Sequence, residues 1–137
     1  MTPREQALQI WRAGVDAVRA DRLVRDAVHV SGDELDVCGK RFALPRDGRL
    51  VVVGAGKAGA GMALGLESVL KDRKPPALRT GWVNVPADCV QPTEWIHLHA
   101  ARPPGVNMPT VEAVAGTERI LEMVRSLGPD DLCIVLI

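Results

Sequence analysis

Gly54, Gly56 and Gly59 follow the spacing G-x-G-x-x-G, and Lys57 stands between the second and third of them. Glycines at this spacing remove the Cβ atoms that would keep a ligand or a neighbouring strand away from the backbone, and the lysine adds a mobile positive charge. The chemistry that suits such a stretch is the holding of an anion, phosphate above all, at the start of a helix. Two known versions of that chemistry each need a further residue. A dinucleotide site needs an acidic residue roughly 20 positions on, at the end of the next strand. Here that strand ends Asn84-Val85-Pro86, and Asp88 lies beyond the proline. This counts against NAD, although an NADP-type arginine site would not need the carboxylate. A Walker loop needs Ser or Thr after its lysine and a glycine five residues before the second one; Ala58 follows Lys57, and no such glycine precedes Gly56. What remains is an anion-binding turn of Gly54, Ala55, Gly56, Ala58 and Gly59 around Lys57. The alternative is a close-packed turn with a solvent-facing lysine.

Other chemistry-bearing residues are sparser. His97 and His99 have i,i+2 spacing and would share one face of a strand as a metal pair, but no Asp, Glu, His or Cys follows within ten residues, so no metal site is assigned. The loop Ala100-Ala101-Arg102-Pro103-Pro104-Gly105-Val106-Asn107-Met108-Pro109 leaves the carboxyl end of a strand, where open α/β sheets bind ligands. Arg102 and Asn107 are its candidates for contact with an anion or a hydroxyl. His29, with no nucleophile or second ligand nearby, is read as structural. Cys38, Cys89 and Cys133 are odd in number and far apart, and are read as reduced, mostly buried thiols.

The elements that must position these residues follow from periodicity. Residues 50–53 are apolar and mostly β-branched, as in a strand buried on both faces of a parallel sheet. From Ala58 onward Met62, Ala63, Leu66, Val69 and Leu70 mark one helix face, which Lys74-Pro75-Pro76 stops. Strands over 80–85 and 95–99 are joined by a stretch too short for a helix of average length. Pro109-Thr110 opens another helix with Val114, Ile120, Leu121, Val124 and Leu127 on its apolar side, and Gly128-Pro129 ends it as a left-handed cap followed by a breaker. Residues 132–137 form a second apolar strand. At the other end, Thr2, Pro3 and Glu5 signal a helix start, and Ala7, Leu8, Trp11, Val15 and Val18 form one face read as core. The charged stretch 19–26 leads into alternation at Val28-His29-Val30, Leu35-Asp36-Val37, Phe42 and Leu44, a small antiparallel meander turning at Ser31-Gly32-Asp33 and Cys38-Gly39-Lys40. The fold class is therefore α/β: a Rossmann-like, mostly parallel sheet with flanking helices, preceded by an N-terminal helix and the meander. Residues 1–137 form one incomplete N-terminal α/β domain, with 1–49 as helix plus meander and 50–137 as sheet core.

Composition bounds the partners. The 137 residues are 47% hydrophobic and 25% charged, with 17 basic against 17 acidic side chains, so the chain is globular and lacks the excess of positive charge that nucleic-acid binding leans on. No window approaches a membrane span and the N-terminus lacks a signal peptide's apolar core, so a cytoplasmic address is expected. The last strand ends without a polar residue, which reads as a truncation.

Two stretches together, Val53-Gly54-Ala55-Gly56-Lys57-Ala58-Gly59 and the segment 121–137 with its Ser-Leu-Gly-Pro-Asp-Asp-Leu-Cys-Ile-Val-Leu-Ile close, resemble the N-terminal domain of the glycerate 2-kinases, the class II, MOFRL-associated type also labelled hydroxypyruvate reductase. The resemblance runs from the Trp11 helix to Ile137. It implies phosphorylation of D-glycerate to 2-phosphoglycerate by ATP with Mg²⁺, a phosphoryl-transfer role for Lys57, and a partner in the C-terminal part of the same enzyme, without which this stretch is expected to be inactive. A homo-oligomer is a further candidate assembly. The alternative is an NAD(P)-dependent hydroxypyruvate reductase or a nucleotide-binding module using the same turn. The family's Gly-His-Pro-x-Pro-Asp stretch is matched over 101–107 only at Pro103, which leaves the substrate contacts of Arg102 and Asn107 as the weakest part of the resemblance.

Overall fold

The computed structural model describes residues 1–71 and 78–137. The Lys74-Pro75-Pro76 stop lies outside the described residues. The chain runs α1 (Pro3–Ala17), α2 (Ala20–Ala27), β1 (Val28–Ser31), β2 (Glu34–Val37), β3 (Lys40–Ala43), β4 (Arg49–Ala55), α3 (Gly59–Leu70), β5 (Leu78–Pro86), a single 3-10 turn (Ala87–Cys89), β6 (Ile96–Arg102), α4 (Val111–Arg125) and β7 (Leu132–Leu136). The expected α/β class holds. The second sheet has the order β6-β5-β4-β7 with every pair parallel, and β1-β2-β3 form a separate antiparallel meander. The 3-10 turn between β5 and β6 is the very short crossover that the loop length requires.

β4 is the centre of the sheet, and its residues divide between two apolar layers. Leu50 and Val52 face a cluster with Ala63, Leu66 and Leu70 of α3, while Val51 and Val53 face Met123 of α4. Helices on both faces explain why the run at 50–53 has no polar alternation. α3 in turn carries α2. A Cβ on Gly65 would lie 2.7 Å from the Asp21 carbonyl oxygen, and one on Gly61 would lie 3.1 Å from the Ala20 Cβ, so two glycines four apart let the helices touch backbone to backbone.

Several expectations need correction. The Trp11 face is not core: α1 buries no residue, and Trp11 is 64% exposed. The capping box itself is present, Thr2 Oγ1 accepting from Glu5 N–H at 3.3 Å and the Glu5 carboxylate from Thr2 N–H at 2.6 Å. The charged stretch 19–26 is α2, held by an Asp21–Arg25 pair at 2.9 Å and anchored by Val24. α4 buries Gly116 and Met123, and Ile120 and Leu127 of the expected apolar side pack against the same cluster, whereas Val114, Leu121 and Val124 are exposed, so the packed face is partly rotated from the one read from sequence. Gly128 has no positive φ and makes no left-handed cap; its N–H donates to Asp131 Oδ2 at 2.8 Å. Cys38 is exposed and Cys89 and Cys133 are only partly buried, all three as free thiols.

That Asp131 contact belongs to a clamp at the amino ends of β4 and β7. Asp131 accepts from the Arg49 N–H at 2.7 Å and from the Arg49 guanidinium at 3.1 and 2.6 Å, while the same guanidinium donates to the Ser126 carbonyl oxygen. The Arg49 guanidinium first, then the Gly128 and Arg49 N–H groups, hold the Asp131 carboxyl far below its ordinary pKa. A carboxylate depressed in this way stabilises the fold above its unfolded pKa of about 4, and the contribution is lost as pH falls through the folded value. Asp131→Asn should therefore lower the urea midpoint at neutral pH and make its decline between about pH 5 and pH 3 shallower than in the wild type. Parallel pH curves for the two proteins would show that the clamp does not contribute.

Candidate functional site

The glycine stretch folds as strand, turn and helix, and each glycine answers to a different constraint. At Gly54 a Cβ would lie 2.3 Å from the Leu136 carbonyl oxygen, so this residue lets β7 approach β4. At Gly59 a Cβ would lie 2.7 Å from Val83 Cγ1, which sets how closely α3 sits on the sheet. Gly56 has φ +130° with nothing within 4 Å of its would-be Cβ, so it is needed for conformation and leaves open space above the turn. Its N–H donates to the Asn84 carbonyl oxygen at 3.0 Å, and the Gly59 N–H donates to the Gly56 carbonyl oxygen at 3.2 Å.

Ala55, Gly56, Lys57 and Ala58 are exposed, and no side chain caps α3. The positive end of the helix dipole and the Lys57 ammonium therefore meet at one solvent-facing place. Among the described residues Lys57 enters no ion pair. The place is also topologically special. From β4 the chain moves by α3 to β5 and onward to β6, then returns by α4 to β7 on the other side of β4. The reversal leaves a crevice between the carboxyl ends of β4 and β7, where doubly wound sheets bind ligands. Along one flank of the turn runs an apolar groove of about 450 Å³, bounded by Ala58, Met62, Leu23 and Ile137.

The other candidates are arranged differently. Arg102 and Asn107 come together, Arg102 Nη1 donating to Asn107 Oδ1 at 2.9 Å and also to the Val106 carbonyl oxygen, with Gly105 at φ +74° closing the loop. They brace the loop that follows β6, which runs on through Arg102 so that the loop starts later than the expected Ala100. β5 separates them from the glycine turn, a spacing of roughly 10 Å across two strands. His97 and His99 do share one face, but both rings lie against Trp82, with centroids 4.2 and 5.1 Å away, and His99 Nε2 contacts the Glu112 carbonyl oxygen at 2.8 Å. Among the described residues no three His, Cys, Asp or Glu side chains converge on a point. His29 is exposed on the meander.

Two buried polar residues support the site and were not singled out from sequence. Asn84 accepts from Trp82 Nε1 at 3.1 Å, and its amide lies 3.4 Å from Thr117 Oγ1, while its carbonyl oxygen holds Gly56. α4 comes close enough for this only because residue 116 is glycine: a Cβ there would lie 2.2 Å from Asn84 Oδ1. Glu67 accepts from the N–H groups of Glu94, Trp95 and Ile96 at 2.8, 2.9 and 2.9 Å and so ties α3 to the start of β6. Its signal was available, since Glu67 falls on the apolar face of α3 beside Ala63, Leu66 and Leu70.

The family described as a domain of unknown function, DUF4147, matches residues 6–137. The chain is 31% identical over 96% of its length to the glycerate kinase of Danio rerio, covering 27% of that protein. It is 41% identical over 66% of its length to a protein of Agrobacterium vitis provisionally named a hydroxypyruvate reductase, covering 22% of it. It thus spans about a quarter of the length of these curated relatives. The crystal structure of the PH0495 protein from Pyrococcus horikoshii OT3 has the same fold, with a TM-score of 0.73 and 24% identity over 100% of this chain and 29% of that one.

The different reasons for the glycines can be separated experimentally. Gly54→Ala forces a methyl against the β7 backbone and should cost about 1–3 kcal/mol or more by urea unfolding. Gly56→Ala meets open space, and its cost should come from backbone strain alone, on the order of 1–3 kcal/mol. Wild-type stability in Gly54→Ala would contradict the close β4–β7 approach.

Proposed function

The chain belongs to the DUF4147 family, the N-terminal domain of the MOFRL-associated glycerate kinases, and from that premise we propose that it is the N-terminal portion of a glycerate 2-kinase. The reaction is the transfer of the γ-phosphoryl group of ATP to the 2-hydroxyl of D-glycerate. The hydroxyl oxygen bonds to the γ-phosphorus as its bond to the β,γ-bridging oxygen breaks; ADP leaves with that electron pair, and the hydroxyl proton passes to solvent. The observation that supports this reading is the place of the turn: a lysine without an ion pair, at a helix start without a side-chain cap among the described residues, beside the crevice at which the strand order reverses.

In this reading the exposed backbone of Ala55, Lys57 and Ala58 meets phosphate oxygens, Gly54, Gly56 and Gly59 shape the turn, the N–H groups of Gly56 and Gly59 being engaged within the fold, and the Lys57 ammonium neutralises charge that builds on the transferring group. Phosphoryl transfer depends mainly on positioning and electrostatic stabilisation, and a preorganised turn with one cation offers both. The turn fits a phosphate because Gly56 leaves it open. Mg²⁺, which would neutralise phosphate charge, is proposed to arrive with the nucleotide and to be held by residues outside this stretch, since no acidic cluster converges here among the described residues. Arg102 and Asn107 are proposed as contributors to the acceptor side through the loop they brace.

A second reading, an NAD(P)-dependent hydroxypyruvate reductase, has the name of the Agrobacterium relatives in its favour. Against it stands Asn84, the polar residue nearest the end of β5, whose side chain is 7% exposed and engaged under α4, away from any ribose.

In the full-length enzyme Lys57→Met keeps the methylene stem and removes the charge. The expected result is a fall in kcat on the order of 10²–10³, with a smaller change in KM and an unchanged melting temperature, because Lys57 is exposed and supports no packing. A variant that keeps more than about a third of wild-type kcat would remove Lys57 from the chemistry. Residues 1–137 alone should produce no phosphoglycerate above a blank without enzyme.

A further inference from the structure

α1 buries no residue and, with its cap residue Val18, carries an apolar stripe on one side. Leu8, Trp11, Val15 and Val18 are separated by three, four and three residues, the a/d spacing of a two-helix seam, and they are 41%, 64%, 42% and 68% exposed. An isolated helix of this length is marginal in water, so the capping box by itself does not account for it. What flanks the stripe restricts the partner. One edge carries Glu5 and Arg12, the other Ala7 and Gly14, and a Cβ on Gly14 would meet nothing within 4 Å.

We propose that α1 pairs with α1 of a second copy of this chain, antiparallel, with Leu8 of each copy against Trp11 of the other. In that register Glu5 of one copy faces Arg12 of the other twice over, and Ala7 faces Gly14, so opposite charges lie along one edge and the two smallest residues along the other. Val15 packs on the methylene stem of the other copy's Arg4, and Met1 faces Val18 at each end. A parallel pair would put the two Trp11 rings in one layer and leave Glu5 without a cation. The paired stripes remove on the order of 1,000 Å² from water, at the lower edge of specific interfaces, so the dimer is weak and concentration-dependent.

Sedimentation equilibrium on the chain over roughly 5–500 µM, a span chosen for a weak interface, tests this. A monomer–dimer equilibrium is expected, with helicity by circular dichroism rising alongside dimer fraction, since the free helix is marginal. Trp11→Glu should weaken the dimer at least tenfold, as removal of a central aromatic anchor does. It leaves the rest of the fold intact, because α1 buries nothing. Glu5→Lys and Arg12→Glu should each weaken dimerisation, and the double variant should recover it, which separates the charge contact from any loss of the capping box. Monomer at every concentration, a dimer indifferent to Trp11→Glu, a dimer abolished instead by Val135→Lys on the β7 edge, or a double variant no better than the singles would each overturn the proposal.

Discussion

How closely backbone can approach backbone around the end of β4 governs the rest of the molecule. Gly54 admits the carbonyl of Leu136, Gly59 admits the side chain of Val83 under α3, and Gly116 admits Asn84 under α4. Each contact is too short for even a methyl group, so sheet and both flanking helices are set by positions that carry no side chain. The same closeness fixes the turn. Asn84 is held from below by Trp82 and Thr117 and reaches up with its main-chain carbonyl to Gly56, so the α4 layer and the glycine turn are linked through one residue. At the far end of the strands the Arg49–Asp131 clamp registers β4 against β7. β4 is thus fixed at both ends and buried between, and the exposed turn sits on a rigid support, as a site that must hold geometry requires.

Much of this was legible in the sequence because it rests on local chemistry. The strand at 50–53, the glycine turn, the α3 face, the meander and the Thr2 capping box all follow from residue type and spacing, and the structure has each of them. The resemblance to the glycerate kinases rested on the same turn and on the last strand, and the family match covers 6–137. What was not legible depends on contacts between distant residues. Trp11 has the spacing of a core residue, but spacing cannot say whether the chain supplies a surface to cover it. α2 reads only as a charged stretch until Gly61 and Gly65 are seen to form its seat. On α4 the reading of an apolar side was right for Ile120 and Leu127 and wrong for Val114, Leu121 and Val124, because the packed face also takes Gly116 and Met123, the positions closest to the sheet. Gly128 invited a left-handed cap, but the Asp131 carboxylate takes its N–H instead.

A chain that spans about a quarter of its relatives' length leaves apolar surface at several places: the α1 stripe, the outer face of α4 and the β7 edge with Val135 and Ile137. These surfaces differ in what they could accept. β7 offers unpaired backbone and the groove beside it offers only apolar side chains, which suits any further strand or helix. α1 differs in that its flanking charges are self-complementary in one orientation. The proposed catalytic contribution lies elsewhere again, at the open end of β4. Assembly through α1 and chemistry at Lys57 are therefore separable in mutants.

The proposed catalytic role requires that the turn at 54–59 hold the phosphates of a nucleotide. A crystal structure of the full-length enzyme with a non-hydrolysable ATP analogue tests it most directly. Phosphate oxygens are expected within hydrogen-bond distance, about 3 Å, of Lys57 Nζ and of the main-chain N–H groups of Lys57 and Ala58. A triphosphate bound elsewhere, with Lys57 still facing open solvent, would contradict it.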